Sequence, residues 1–371
     1  MITFEKLFKA YRDCCKHKRG KNSQITFEFN QERNLVELYA ELTEGRYIPD
    51  YSICFIVIFP KVREVWAANF RDRIVHHLIY NEIKDRFYNR FTIDTFSCIP
   101  KRGTGTAQKR LEKYAREITC GFKQDAYYLK ADIKNFFVSI RKDILMKQIE
   151  EHVSEEWVLD LCRKVIYNDP RENARIQSPE YKFEMLPKHK SLWYTPNDKG
   201  LPIGNLTSQF FSNVYLNKLD QYVKHKLRCK YYCRYVDDFI ILDKDPHKLH
   251  RIHKELTEFL FKELKLELHT DKREINKISK GIDFVGFQTK TFRTYLRQKT
   301  IKRVFKLIRI HKKAPYDPDE IKSFIASVNS YLGMLRNING YKMRREICLQ
   351  SIDLFIGCDE EFTKLYLRCI L

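Results

Sequence analysis

The stretch Arg234-Tyr-Val-Asp-Asp-Phe-Ile-Ile-Leu242 constrains this chain more than any other. Tyr235 and Val236 precede the acidic pair Asp237–Asp238, and Phe239 to Leu242 follow it. β-Branched and aromatic flanks of this kind read as two short strands joined at a tight turn. The turn has neither Asn-Gly nor Asp-Gly, the pairs that a free hairpin favours. Two carboxylates about 4 Å apart repel by roughly 4 kcal/mol at an effective dielectric near 20, and a cation between them removes that cost. An acidic pair in a turn is common and says little by itself. Tyr-Val-Asp-Asp between two apolar strands is a much narrower pattern.

The chain has 371 residues, enough for two or three subdomains around a sizeable core. Lys plus Arg outnumber Asp plus Glu by 69 to 48, giving a net charge of +21. That surplus favours a polyanionic partner, and nucleic acid is the first expectation. A membrane surface is not expected, because neither a lipidation motif nor an apolar run long enough to span a bilayer is present. The start, Met-Ile-Thr-Phe-Glu-Lys, has no signal-peptide pattern, so a cytoplasmic location is expected. The eleven cysteines then read as reduced thiols. Cys14-Cys15-Lys-His17 and Cys229-x-x-x-Cys233 lack a second zinc-ligand pair at the usual spacing. Cys233, in the apolar strand before the Asp pair, reads as a buried structural thiol.

Along the chain, Leu7, Phe8 and Tyr11 have helical spacing, as do Leu35, Leu38 and Leu42. The basic run Lys16–Lys21 around Gly20 is either a solvated loop or an RNA-contacting arm. Tyr51–Phe59 reads as a core strand that Pro60 ends. Lys61 and Arg63 follow it, where basic side chains can grip phosphates. Val75, Leu78, Ile79 and Ile83 put Arg71 and Arg73 at a helix start. Residues 95–106 read as a loop in which Gly103 and Gly105, beside Lys101 and Arg102, permit close approach of a ligand backbone. A plain turn is the competing reading.

Tyr127–Asp132 is expected as a half-buried strand with Tyr128, Lys130 and Asp132 on one face. Asp132 either binds a metal beside another strand's Asp or caps the next helix, which is expected to run to Ile149. Residues 150–199 start helical and become loop-like. Gly200-Leu-Pro-Ile-Gly-Asn-Leu-Thr-Ser then forms a turn into a helix carrying Phe210, Phe211, Val214 and Leu219. Leu249–Leu266 is an amphipathic helix, and Gly281–Thr289 a turn and strand. The last 80 residues read as helical and basic, with Asp317-Pro-Asp-Glu320 as a cap.

Taken in order, these elements resemble a reverse transcriptase over residues ~50–290, with the helices beyond resembling a thumb. The resemblance implies an α+β right-hand polymerase fold with fingers, an antiparallel palm sheet with helices, and a helical thumb. It divides the chain into an N-terminal helical extension (1–50), fingers (51–124), a palm (125–290) with a fingers-like insertion about 151–199, and a basic thumb (291–371). Most of the family carry Gln-Gly and later Ser-Pro in the turn before the palm helix. This chain has Ile203-Gly204 and Ser208-Gln209, and Phe-Arg-Asp-Arg-Ile-Val-His-His at 70–77. Both resemble the reverse transcriptases of bacterial and phage diversity-generating retroelements. Those enzymes copy a template-repeat RNA into adenine-mutagenised cDNA that replaces a variable repeat in a target gene, working with a small accessory variability protein.

The resemblance implies that Asp132 and Asp237 ligate two Mg²⁺ ions about 3.5–4 Å apart, with Mn²⁺ able to substitute and Asp238 in support. It implies that Lys61, Arg63 and Arg71 are candidates for the triphosphate of a dNTP, and that Phe137 excludes ribonucleotides. Gly204 lets the backbone approach the nascent base pair, beside Ile203 and Gln209, which shape fidelity. Lys101, Arg102 and the primer-grip-like Gly281, Phe284 and Gly286 hold template RNA and the RNA/cDNA duplex. Retrons are the nearest alternative, but Asn-Ala-x-x-His and Val-Thr-Gly signatures are absent from the sequence. Group II intron enzymes are less expected, because no maturase or endonuclease extension follows the thumb. An abortive-infection polymerase and a non-catalytic RNA-binding protein on the same fold are the other readings. The second would be marked by loss of a catalytic Asp.

Overall fold

A computed structural model describes residues 1–16, 21–59, 61–313 and 317–368. His17, Gly20 and Pro60, and with them most of the basic run and the strand stop, lie outside the described residues. In chain order the elements are α1 (Phe4–Cys15), α2 (Asn22–Glu28), α3 (Gln31–Thr43), β1 (Ser52–Val57), β2 (Arg63–Ala68), α4 (Phe70–Tyr88) and α5 (Thr104–Ile118). β3 (Tyr127–Asp132), α6 (Phe136–Ser139), α7 (Lys142–Glu150), α8 (Glu156–Tyr167), β4 (Ala174–Ile176), α9 (Glu180–Glu184) and α10 (Leu206–Gln221) follow. Then come β5 (Tyr231–Tyr235), β6 (Asp238–Asp243), α11 (Pro246–Leu264), β7 (Glu274–Lys277), β8 (Ile282–Phe284), β9 (Phe287–Lys290) and β10 (Arg293–Leu296). The chain closes with α12 (Gln298–His311), α13 (Pro318–Leu335), α14 (Tyr341–Ser351), β11 (Ile356–Cys358) and β12 (Leu365–Leu367).

Two compact units result. One comprises Met1–Ile93, Asp132–Arg228 and Lys254–Lys272; the other comprises Asp94–Ala131, Cys229–His253 and Arg273–Leu371. In the first unit, β1 pairs antiparallel with β2 and parallel with β4, giving the order β2-β1-β4. The stretch 151–199 therefore contributes a strand to the same sheet as the β1–β2 hairpin. Glu64, buried on β2, accepts from Leu192 N–H at 2.8 Å and from Ser191 Oγ at 2.5 Å, tying the stretch down a second time. α4 starts where Asn69 accepts from the Arg71 N–H, and it buries Ile74, Val75, Leu78, Ile79, Ile83 and Phe87. Phe87 meets Phe210 of α10 edge-on, 5.7 Å between ring centroids.

The helix expected from Phe136 to Ile149 is broken. α6 is a single turn, Ile140 is extended, and α7 begins afresh. At the break, the carbonyls of Phe137 and Ile140 accept from the Leu201 and Gly200 amides at 2.9 and 2.8 Å instead of from amides one helical turn on. Asp132 does not cap α6; that place is taken by Asn135, in a left-handed conformation.

In the second unit, β5-β6-β3-β7 form a four-stranded sheet, and β10-β9-β8 a separate three-stranded one. Leu111, Ala115 and Ile118 of α5 pack with Tyr128, Cys233, Ile240, Leu242, Ile282 and Phe284 in one core cluster. The helix α5 starts earlier than the expected loop allows, capped where Thr106 Oγ1 accepts from the Gly103 N–H at 2.7 Å. Gly281–Thr289 forms a hairpin rather than one strand, with Phe284 opposite Phe287. The C-terminal region is not wholly helical either: β11 and β12 form an antiparallel pair. Val304, Ile308, Phe324, Val328 and Leu332 of α12 and α13 share a second core with Phe287 and Leu296. Asp317 caps α13, with Pro318 at its first position. Among the described residues, the cysteines form no disulfide, Cys229 and Cys233 are buried, and no helix is long and apolar enough to cross a membrane.

Candidate active site

The Asp pair sits in a two-residue hairpin turn. Tyr235 pairs with Asp238, leaving Val236 and Asp237 at the tip. Val236 has φ 58°, while Asp237 is not left-handed. Positive φ at the first central position alone is the pattern of a type II′ turn, which favours Gly there. A β-branched residue is a poor fit for that slot. Two hydrogen bonds hold it. The Val236 N–H donates to Ser97 Oγ at 3.1 Å, and Arg234 Nη1 donates to the Val236 carbonyl at 2.9 Å. Arg234 is fully buried, and its strand is bonded in turn to the segment 94–96: Arg234 N–H to Asp94 C=O at 2.9 Å, Phe96 N–H to Arg234 C=O at 3.0 Å.

Asp238 opens β6, and Asp132 closes β3, the next strand in the sheet. Each of these carboxylates faces an ammonium. Lys130 Nζ lies 3.8 Å from Asp238 and donates to the Asp283 carbonyl at 2.7 Å; Lys272 pairs with Asp132. Carboxylate oxygens are hard donors suited to Mg²⁺ or Mn²⁺. Among the described residues, no three His, Cys, Asp or Glu side chains are grouped as a ready-made cage. Mg²⁺ does not require one, since it binds through one or two carboxylates with substrate phosphates and water completing the shell. On that ground the carboxylates of the turn, Asp237 and Asp238, and separately that of Asp132, have the chemistry to ligate a divalent ion.

In the first unit, Lys61 and Arg63 are exposed beside the β1–β2 connection. Arg71 is not available in the same way. Its guanidinium pairs with Glu41 and Asp72, donates to the Ile48 carbonyl and lies over the Tyr47 ring at 5.0 Å. Burial pushes the Asp72 carboxyl up to about 6, although the Asp50 N–H, the Tyr47 hydroxyl and Arg71 pull it down. Arg71 thus braces a buried acid. Ile203, Gly204 and Asn205 lie along the free edge of β2. The Trp66 N–H donates to the Ile203 carbonyl at 2.7 Å, and the Ala68 N–H to Asn205 Oδ1 at 3.1 Å. Gly204 has φ +127°, and a Cβ there would meet Val65 Cγ1 at 2.8 Å and the Trp66 oxygen at 3.0 Å. Its glycine is required by this docking, whatever else approaches it. Ile203 is half-buried, Gln209 is exposed on the first turn of α10, and the Phe137 ring is half-buried on α6.

Two expectations in the second unit, those for Phe284 and Gly105, need correction. Phe284 is 1% exposed within the core, so its ring cannot touch nucleic acid. Gly105 lies inside α5 against the Asn337 side chain, and this packing explains it without a ligand. Arg102 donates to the Thr95 carbonyl at 3.1 Å and so supports the loop; Lys101 is exposed. Gly281 and Gly286 are both left-handed, at φ 93° and 90°, as hairpin and turn geometry require. Sequence reasoning missed Ser97, Arg234 and Lys272. A charged residue inside Tyr-Tyr-Cys-Arg-Tyr was a readable signal for Arg234; nothing local marks the other two.

Residues 60–289 match the family described as reverse transcriptase (RNA-dependent DNA polymerase). The protein YkfC of Escherichia coli K12 is 22% identical over 293 residues, covering 69% of this chain and 72% of YkfC. The COX1/OXI3 intron 2 protein of Saccharomyces cerevisiae is 20% identical over 286 residues, covering 62% of this chain and 30% of that protein. Among solved structures, telomerase from Candida albicans in complex with a telomeric RNA fragment has a TM-score of 0.47 at 12% identity, covering 86% of this chain and 63% of that one.

Proposed function

Because the chain belongs to the reverse transcriptase family of RNA-directed DNA polymerases, we propose that it copies a template-repeat RNA into adenine-mutagenised cDNA for diversification of a target gene. The observation that carries this reading is the departure at Ile203, in a turn docked on the strand that begins with Arg63, and at Gln209, on the first turn of α10. A Gln at 203 could donate and accept hydrogen bonds; Ile does neither. A polar contact to the correct base pair contributes roughly 0.5–1.5 kcal/mol, up to about tenfold in discrimination. Its loss lets geometrically poor pairs through. The preference for adenine is taken from the family resemblance and not from this geometry.

In this reading Asp132 and Asp237 hold the divalent ions and Asp238 supports them. When bound, such ions activate the primer 3′-hydroxyl and neutralise charge at the leaving pyrophosphate. Lys61 and Arg63 face the incoming triphosphate and offset its charge. The Phe137 ring fills the space that a ribose 2′-hydroxyl needs. Lys101 and the Gly281–Gly286 hairpin hold the RNA/cDNA duplex, and the net charge of +21 serves that polyanion. A small accessory variability protein is the further partner, and the cytoplasm of a bacterium or phage-infected host is the setting.

A second reading, copying of an intron RNA, is favoured by the likeness to the yeast intron 2 protein. Extension on a template-repeat RNA, with sequencing of the cDNA, separates the two. Errors concentrated opposite template adenines support diversification; uniform, low error supports intron copying. Within that assay, Ile203→Gln should lower adenine misincorporation by up to about tenfold with synthesis retained. Equal adenine error in parent and variant removes Ile203 from the explanation.

A further inference from the structure

A left-handed β-branched residue persists only where its surroundings over-determine it. At Val236 both flanking peptide groups are held, one by Ser97 and the other by Arg234. Ser97 is 139 positions away in sequence, so this hold is tertiary and not a property of the hairpin. Arg234 is 0% exposed, and a guanidinium is buried only where its donors are used. The carbonyl that it holds belongs to the peptide joining Val236 to Asp237. Fixing that peptide plane fixes the position of the Asp237 Cα and the N–Cα axis about which its side chain turns.

We propose that Ser97 and Arg234 are positioning residues that clamp Val236 in its left-handed state and thereby aim the Asp237 carboxylate. The proposal rests on the reading of Asp237 as an ion-holding residue. Glycine at 236 would reach the same φ at no steric cost but would also populate others. Valine under a two-point clamp gives one conformation. Without the clamp, valine relaxes to negative φ and carries Asp237 with it.

The test uses the full chain, with primer extension, Mn²⁺ binding followed by electron paramagnetic resonance in the absence of nucleotide, and thermal unfolding. Ser97→Ala should lower the extension rate and weaken Mn²⁺ binding, each on the order of tenfold. Ser97→Thr keeps the hydroxyl and should restore both. Val236→Gly placed in the Ser97→Ala chain should bring both back to within about threefold of Val236→Gly alone, a non-additive outcome expected only if the two sites are coupled. Unchanged extension and Mn²⁺ binding in Ser97→Ala overturn the clamp. So does a loss that glycine at 236 leaves in place, which would mark general damage. If Ser97→Ala does not fold, Ser97→Thr and Ser97→Cys compared by Mn²⁺ affinity decide, equal affinity counting against the clamp. A parent chain that binds Mn²⁺ no better than Asp237→Ala defeats the ion-site reading itself, a result distinct from any of these.

Discussion

Two hairpin turns in this chain place valine in the left-handed region, and they are held by different forces. At Val285–Gly286 both central residues have positive φ, 45° and 90°, the type I′ pattern, with glycine in the second place. Its flanks, Phe284 and Phe287, are each 1% exposed, and Gly286 lies so close to Met334 of α13 that a Cβ would come within 2.9 Å of Cε. Packing on both flanks holds that turn, with one backbone bond from the Arg297 N–H to the Gly286 carbonyl at 3.1 Å. At Val236–Asp237 the second place is an aspartate, the flanks Tyr235 and Asp238 are only half-buried, and no glycine relieves the backbone. Polar bonds from Ser97 and Arg234 hold it instead. A turn that must present a carboxylate to solvent cannot be wrapped in a core, so its conformation has to come from directional bonds.

The largest expected effect falls on the exposed turn. Asp237→Ala should reduce deoxynucleotide incorporation by about a thousandfold or more, the several kcal/mol of charge stabilisation that a metal site supplies. RNA affinity and unfolding temperature should stay near those of the parent; normal primer extension would remove Asp237 from the chemistry. At the packed turn the effect should be on stability. Phe284→Ala should cost about 3–5 kcal/mol in denaturant unfolding. A loss of RNA affinity without a loss of stability would return Phe284 to the nucleic-acid surface. Gly286→Ala forces a side chain into a left-handed site against Met334 and should cost roughly 1–3 kcal/mol. If its unfolding midpoint matches the parent's, packing is not what holds the second turn and the contrast fails.

Much of the architecture was legible along the chain. The strand through Asp132, the Asp-Asp hairpin, the cap at Asp317 and the helix opening at Phe70 depend on periodicity and local side-chain bonds, which neighbours in sequence determine. The broken helix at Ile140 was not, because the groups that break it are the amides of Gly200 and Leu201, sixty residues on. Nor was the hairpin at 282–290, where Val285 gave no turn signal of its own.

By itself the sequence determined the order of the main elements, the acidic pair between apolar strands and the basic surplus, since each is written in residue type and spacing. Only the tertiary structure decided which of those residues are engaged elsewhere. Arg71 braces Asp72, Arg102 holds the Thr95 carbonyl, Gly105 makes room for Asn337, and Phe284 lies in the core. It also decided that Ser97 meets Val236. A side chain's type states what it can bond to; which partner it finds depends on segments that meet only when the sheets and helices have packed.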